Sequence, residues 1–241
     1  MPDKEDNTEK QTPVADEKQL AKRVLLVDDH PIVMYGLSLL IDQEEDLHVC
    51  GQCTSAVETL DTIDKHSPDI AVVDISLQGS NGLELTKALK EIKPSLPILI
   101  LSMHDESLYA ERALRAGARG YIMKQESADV VLDAIRKVLN GGVYLSKKLS
   151  TRILREFVDG TNSTNGDIID KFGIETLSDR ELEIFEFIGR GQSSRDIANR
   201  LQLSIKTVET HRAHIKQKLK IENATELVHR AFHWVESGST N

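Results

Sequence analysis

Four short runs with almost no polar residue inside them constrain this chain most: VLLV (24–27), IAVVD (70–74), ILILS (98–102) and GYIMK (120–124). A strand that is apolar on both faces must be covered on both faces, which is the habit of parallel sheets. A fifth segment, LHVCG (47–51), has strand character and falls between the first two. Amphipathic stretches such as AVETLDTIDKH and SLYAERALRAG separate these runs, each closed by a turn signal. Strands alternating with helices imply right-handed crossovers. The expected fold over 22–145 is therefore α/β, a doubly wound five-stranded parallel sheet in the order 2-1-3-4-5.

After Ser146 the alternation stops. Residues 146–174 read as a linker, centred on GTNSTNGD (160–167), whose Gly, Ser, Thr, Asn and Asp content favours flexible chain. From 175 to 237 the strands are gone. Ser178 with Glu181 forms a capping-box pattern that opens SDRELEIFEFIGRG. SSRDIANRL, SIKTVETHRAHIKQKLKI and NATELVHRAFHWVE then read as three more helices, with Ser194 and Ser204 as caps. A chain of 241 residues suits this division into an α/β domain and a small all-α one. Residues 1–21 carry mixed charge and little apolar content, and read as a disordered tail. No apolar run approaches the roughly 20 residues that cross a bilayer, so a cytoplasmic protein without a membrane partner is expected. The two cysteines, Cys50 and Cys53 in CGQC, read as inert thiols of a reducing compartment, with a redox pair or half a zinc site as the alternatives.

In an open α/β sheet the binding crevice lies outside the carboxyl ends of the strands. Here the first strand ends at Asp28 and Asp29, the third at Asp74, the fourth at Ser102 and the fifth at Lys124. Taken singly, Asp28 also suits a helix N-cap and Lys124 a solvated strand end. Together they bring three acids, a hydroxyl and an ammonium to one edge. Three carboxylates within a few ångströms repel by several kcal/mol at an effective dielectric near 20. A hard divalent cation removes that cost, and Mg²⁺ suits a site of few carboxylates and phosphate oxygens. A carboxylate is also a nucleophile toward phosphorus, giving an aspartyl-phosphate.

These residues resemble the receiver domain of two-component response regulators, from Lys22 to about Asn140. The resemblance implies that Asp28 and Asp29 bind metal, that Asp74 accepts the phosphoryl group, and that the carbonyl of Ser76 completes the metal shell. It also implies Ser102 as the switch hydroxyl, Tyr121 as the reorienting aromatic and Lys124 as the phosphoryl contact. The donor would be a sensor histidine kinase. Two positions depart from the family pattern: Gln78-Gly79 stands where Pro-Gly is common, and Gln125, rather than proline, follows Lys124.

In the helical half, Val208, Ile215 and Leu219 share one face of a wheel, with His211 at its margin as a packed histidine. Lys206, Glu209, Thr210, Ala213 and Gln217 lie opposite, with Lys216 at the edge. Arg195 to Lys220 holds seven Lys/Arg against two acids, a surplus of five in a chain whose net charge is −9. That is the electrostatic footprint of a helix entering a major groove. LSDRELEIF, GQSSRDIANRL, S-x-K-T-V-x-x-H and I-x-x-K-L closely resemble the LuxR-type helix-turn-helix of NarL/FixJ response regulators. Contacts to double-stranded DNA are expected from Lys206, Thr207, Glu209, Thr210, Arg212, Ala213, Lys216 and Gln217. Glu209 has two readings: it accepts a hydrogen bond from cytosine N4, or it pairs with Arg212 or Lys216 along the helix.

The expectation that follows is a phosphorylation-switched transcription factor that forms a homodimer when phosphorylated. Apolar surface at Leu227, Val228, Ala231, Trp234 and Val235 on the last helix is available for pairing. A phosphohydrolase with Asp74 as nucleophile would call for a second acid beside it, and position 76 is serine. A receiver that serves only as an interaction module leaves the helix-turn-helix without a purpose.

Overall fold

The computed structural model describes residues 21–77, 79–158 and 173–239. Strand β1 (Lys22–Val27) is followed by α1 (Pro31–Asp42), β2 (Leu47–Cys53), α2 (Ala56–His66) and β3 (Ile70–Val73). A two-residue hairpin comes next, β4 (Ser76–Leu77) against β5 (Ser80–Asn81). Then come α3 (Gly82–Ile92), β6 (Ile98–Ser102), α4 (Glu106–Arg115), β7 (Gly120–Met123) and α5 (Ala128–Leu139). The main sheet is wholly parallel in the order β2-β1-β3-β6-β7. For the five principal strands this is the expected 2-1-3-4-5.

Alternate residues of each strand feed two cores, as a period of two requires. Leu25, Val27, Ala71, Val73, Ile98 and Ile100 face Ile63, Leu89, Tyr109 and Ala113 from α2, α3 and α4. Val24, Leu26, Ile70, Val72, Leu99 and Leu101 face Met34 and Ile41 of α1 and Ile135 and Val138 of α5. Each fully buried aliphatic side chain contributes about 1.5–3 kcal/mol relative to exposure.

Several local expectations are corrected. Strand β2 runs on to Cys53, and its pairing with β1 slips between Val24 and Leu25, leaving Cys50 at the irregularity. Cys53 is fully buried and burial raises both thiols, so neither favours the reactive thiolate. The first part of the expected linker is instead helix α6 (Lys147–Val158), which buries Leu149 and opens with Ser146 Oγ accepting from Leu149 N. GTNSTNGD and the N-terminal tail lie outside the described residues.

The second domain contains a 3-10 turn (Ile174–Thr176), α7 (Asp179–Gly189), α8 (Ser194–Leu201), α9 (Ile205–Leu219) and α10 (Ala224–Ser239). Ser178 and Glu181 do form the capping box of α7, and Ser204 caps α9. The cap of α8 is Ser193 rather than Ser194. Ser193 has Asp196 three residues ahead to return a hydrogen bond, while Ser194 has Ile197 there. Helix α10 crosses α7 so closely that a Cβ on Gly189 would sit 2.4 Å from the Ala231 carbonyl oxygen. No helix among the described residues is long and apolar enough to cross a membrane.

Candidate functional site

The ends of β1, β3, β6 and β7 meet as the topology demands. Asp74 N donates to Val27 O at 2.9 Å, which sets the third strand's acid beside the first strand's pair. Lys124 Nζ lies 2.6 Å from Asp28 Oδ2 and 2.8 Å from Asp74 Oδ2. The other oxygen of Asp74 accepts from Ile75 N at 2.8 Å. His30, at the rim, approaches Asp29 Oδ1 at 2.7 Å and Asp28 Oδ1 at 3.1 Å. One ligand atom from each of Asp28, Asp29, His30 and Asp74 lies within 4.8 Å of all the others.

Burial raises the Asp74 carboxyl to about 6 despite the opposing pull of Lys124, and burial raises Asp29 as well. Burial alone would lower Lys124, but Asp74 and Asp28 reverse that and raise it. Three acids against one lysine leave the pocket under-neutralised. Its three carboxylates fit a hard divalent cation, with the His30 imidazole at the rim.

Ser102 is fully buried, and its Oγ accepts from His104 N at 3.2 Å. The buried Tyr121 hydroxyl donates to His104 O at 2.8 Å. The hydroxyl and the aromatic expected to switch therefore grip the same residue from both backbone sides. The peptide bond between Lys124 and Gln125 is trans, with no cis bond among the described residues.

His104 itself was not foreseen, nor were the residues it holds. Its Nδ1 lies 2.7 Å from Glu186 Oε2 and its Nε2 2.8 Å from Ser76 Oγ. Ser76 Oγ donates to Glu183 Oε1 at 2.6 Å. The two glutamates belong to α7, every residue of which is buried. Burial opposes charge on His104, but hydrogen bonds to Glu183 and Glu186 prevail and raise it to about 9. Arg180 Nη1 reaches Glu183 Oε2 at 2.7 Å, and Arg190 pairs with Glu186. Nearby, Lys87 Nζ and Arg112 Nη1 hold Asp179 at 2.7 and 3.2 Å. Arg112 also donates to the Leu177 and Ile174 carbonyls at 2.9 and 2.7 Å. The receiver face around the pocket thus docks onto the first helix of the second domain. The signal available in the sequence was DRELEIFEFIG, whose charged residues are spread around the helix and leave no clean polar face.

Val208 and Ile215 of α9 are fully buried and Leu219 nearly so, as the wheel predicts. Lys206, Glu209, Thr210, Ala213 and Gln217 are exposed, while Thr207, Arg212 and Lys216 are partly covered. Glu209 Oε1 accepts from Ser194 Oγ and lies 3.8 Å from Arg212 Nε, so it ties α9 to α8. His211 is half-buried, and burial lowers its pKa, in keeping with a packed histidine.

Two family models match in tandem: the response regulator receiver domain over 24–136, and bacterial regulatory proteins of the luxR family over 175–231. Across both, the chain is 37% identical over 210 residues to the oxygen regulatory protein NreC of Staphylococcus carnosus, covering 87% of this chain and 96% of that one. The chain is a LuxR-type response regulator. NreC of Staphylococcus haemolyticus is 38% identical over the same span. Among solved structures, the regulator resembles a LuxR-family response regulator from Aurantimonas sp. SI85-9A1, with TM-score 0.54 and 34% identity over 57% of this chain and 99% of that one. An RcsB–DNA complex gives TM-score 0.53 and 26% identity over 87% and 97%. The family is one of transcription-factor response regulators rather than of dedicated enzymes. What the sequence did not reveal is which residues join the two domains, His104, Glu183 and Glu186 chief among them.

Proposed function

We propose that Asp74 takes a phosphoryl group from a sensor histidine kinase and that this loosens the grip of the receiver on α7, freeing two copies of the DNA-binding domain to pair on DNA. The observation that carries this reading is that Ser76, which opens the hairpin after Asp74, and His104, in the loop after Ser102, both hold Glu183. Asp28, Asp29, Asp74 and the Ser76 carbonyl would hold Mg²⁺, which would supply charge neutralisation for the incoming phosphoryl oxygens. An Asp74 carboxylate oxygen attacks phosphorus while the bond to the donor imidazole breaks. Lys124 already lies against Asp74 and supplies a positive charge there. Ser102 is the hydroxyl available to the new oxygens. Turning to them takes its Oγ from the His104 amide, and Tyr121 shares that residue's other backbone group.

The donor must cover the pocket rim. Ile32, Tyr35 and Leu39 form an exposed apolar stripe on α1, which starts right after Asp28, Asp29 and His30, and this stripe is the surface offered to the kinase. In the docked arrangement the outward side of α9 is exposed, so the restraint acts on how the domain is oriented and paired rather than by covering the reading helix. Lys206, Thr207, Arg212, Lys216 and Gln217 contact DNA together with Thr210 and Ala213, and the work is cytoplasmic.

The test compares DNA affinity and sedimentation of the full chain with and without a small phosphodonor in Mg²⁺. Tighter binding and pairing on phosphorylation, absent in Asp74→Asn, are expected. Identical affinity and oligomeric state in both conditions would overturn the proposal.

A further inference from the structure

Helix α10 presents two histidines one turn apart, His229 and His233, both exposed. Their Nε2 atoms lie 3.1 Å apart, with ring centroids 4.3 Å apart at 74°. An exposed pair can share a proton across that gap, but the spacing also matches a chelate. Metal–nitrogen bonds of about 2.0–2.1 Å at angles between square and tetrahedral need the two nitrogens roughly 2.9–3.4 Å apart. Imidazole is the ligand favoured by zinc, copper and nickel rather than by Mg²⁺. The receiver pocket differs in chemistry, offering three carboxylates with a single imidazole, His30, at its rim.

Two imidazoles fill only half of a tetrahedral shell. The same side of α10 carries exposed apolar residues. Val228 is 43% exposed and Phe232 46% exposed, while Leu227, Ala231 and Trp234 are buried within the domain. On a helix at 100° per residue, Val228, His229, Phe232 and His233 span one outward face. A second copy related by a twofold axis would set the same apolar residues and the same two imidazoles against this face, since an isologous contact places the same surface on both sides.

We propose that His229 and His233 are half of a site for a zinc-class divalent ion, completed by the same two residues of a second chain, so that the ion clamps paired DNA-binding domains. The proposal rests on the pairing reading above but assigns the metal, its ligands and its stoichiometry. It also locates the apolar surface used: of the residues expected there, only Val228 is substantially exposed, and Phe232 joins it.

The test uses the full chain in saturating Mg²⁺, so that Asp28, Asp29 and Asp74 are occupied, with Zn²⁺ added alone and no phosphodonor. Metal content after dialysis and sedimentation are read together. One zinc per two chains, appearing with a dimer, is expected. Both should be lost, with binding weakened at least about tenfold, in His229→Gln and in His233→Gln, whose exposed positions leave the fold intact by circular dichroism. Asp74→Asn should keep the zinc-dependent dimer while losing the phosphodonor response, so failure of the switch and failure of the clamp are told apart. Zinc uptake and sedimentation unchanged in both histidine variants would overturn the proposal, as would one zinc per chain without pairing.

Discussion

The regulator buries carboxylates in two places, and they are treated in opposite ways. In the pocket at the strand ends, Asp28, Asp29 and Asp74 share one lysine and a rim histidine, and burial raises Asp74 and Asp29. At the domain interface, Glu183, Glu186 and Asp179 face His104, Arg180, Arg190, Lys87 and Arg112, and both glutamates are pulled below their ordinary values although burial acts against it. The pocket is short of positive charge, the condition that the proposed cation and phosphoryl group require. The interface is already neutralised and has nothing to exchange, so its charges hold two domains together. Carboxylates thus act as a ligand site where the protein leaves them under-compensated and as a latch where it does not.

The largest effect expected is on the pocket alone. Asp74→Asn should abolish phosphoryl uptake, read by intact mass after phosphodonor treatment, while leaving the interface and basal DNA binding in place. Uptake persisting at the wild-type level would place the acceptor elsewhere. The complementary break is Glu183→Ala. Removing one member of a buried ion cluster costs about 3–5 kcal/mol and would be drawn from domain docking. Hydrogen exchange in α7 should rise, and unphosphorylated protein should bind DNA about as tightly as the phosphorylated wild type. If exchange in α7 does not change, the cluster is not the latch.

Gly82 tests whether the two regions are joined. It follows Asn81, which caps α3 through Leu83 N and donates to Glu183 Oε2 at 3.4 Å. A Cβ at Gly82 would fall 1.8 Å from the Asp74 carbonyl oxygen. Gly82→Ala should therefore lower stability by about 1–3 kcal/mol, as overpacking does. Phosphoryl uptake and docking should be perturbed together. A melt unchanged from wild type would show that the approach relaxes freely.

The smaller effects belong to α9, away from both clusters. Lys206→Ala should weaken binding to all DNA sequences and reduce the salt slope by about one charge, as read in titrations at several salt concentrations. Glu209→Ala is the mildest. Its bonds to Ser194 and Arg212 predict slightly tighter binding with an unchanged preferred sequence, whereas a base-reading role predicts relaxed preference at one position per half-site. Binding-site selection separates the two.

How much of this was open to inspection in the linear chain follows from the range of each interaction. The strand order and the meeting of Asp28, Asp29, Asp74, Ser102 and Lys124 were available because a parallel sheet puts every strand's carboxyl end on one edge. The buried side of α9 was available because 100° per residue is a local rule. Helix α6 was missed because its short amphipathic run adjoins a linker composition, and the role of Leu149 depends on the core it meets.

The latch is the clearest case of what only the tertiary structure decides. Helical periodicity shows which residues of α7 share a face but not what stands opposite. Ser76 and Glu183 are 107 positions apart, His104 and Glu186 82. Read along the chain, the acids of DRELEIFEFIG look like those of any solvated helix. Their meaning comes from the folded receiver, which removes water from them and places His104, Arg112 and Lys87 within reach, because a carboxylate's behaviour is set by the charges and solvent around it rather than by its neighbours in sequence.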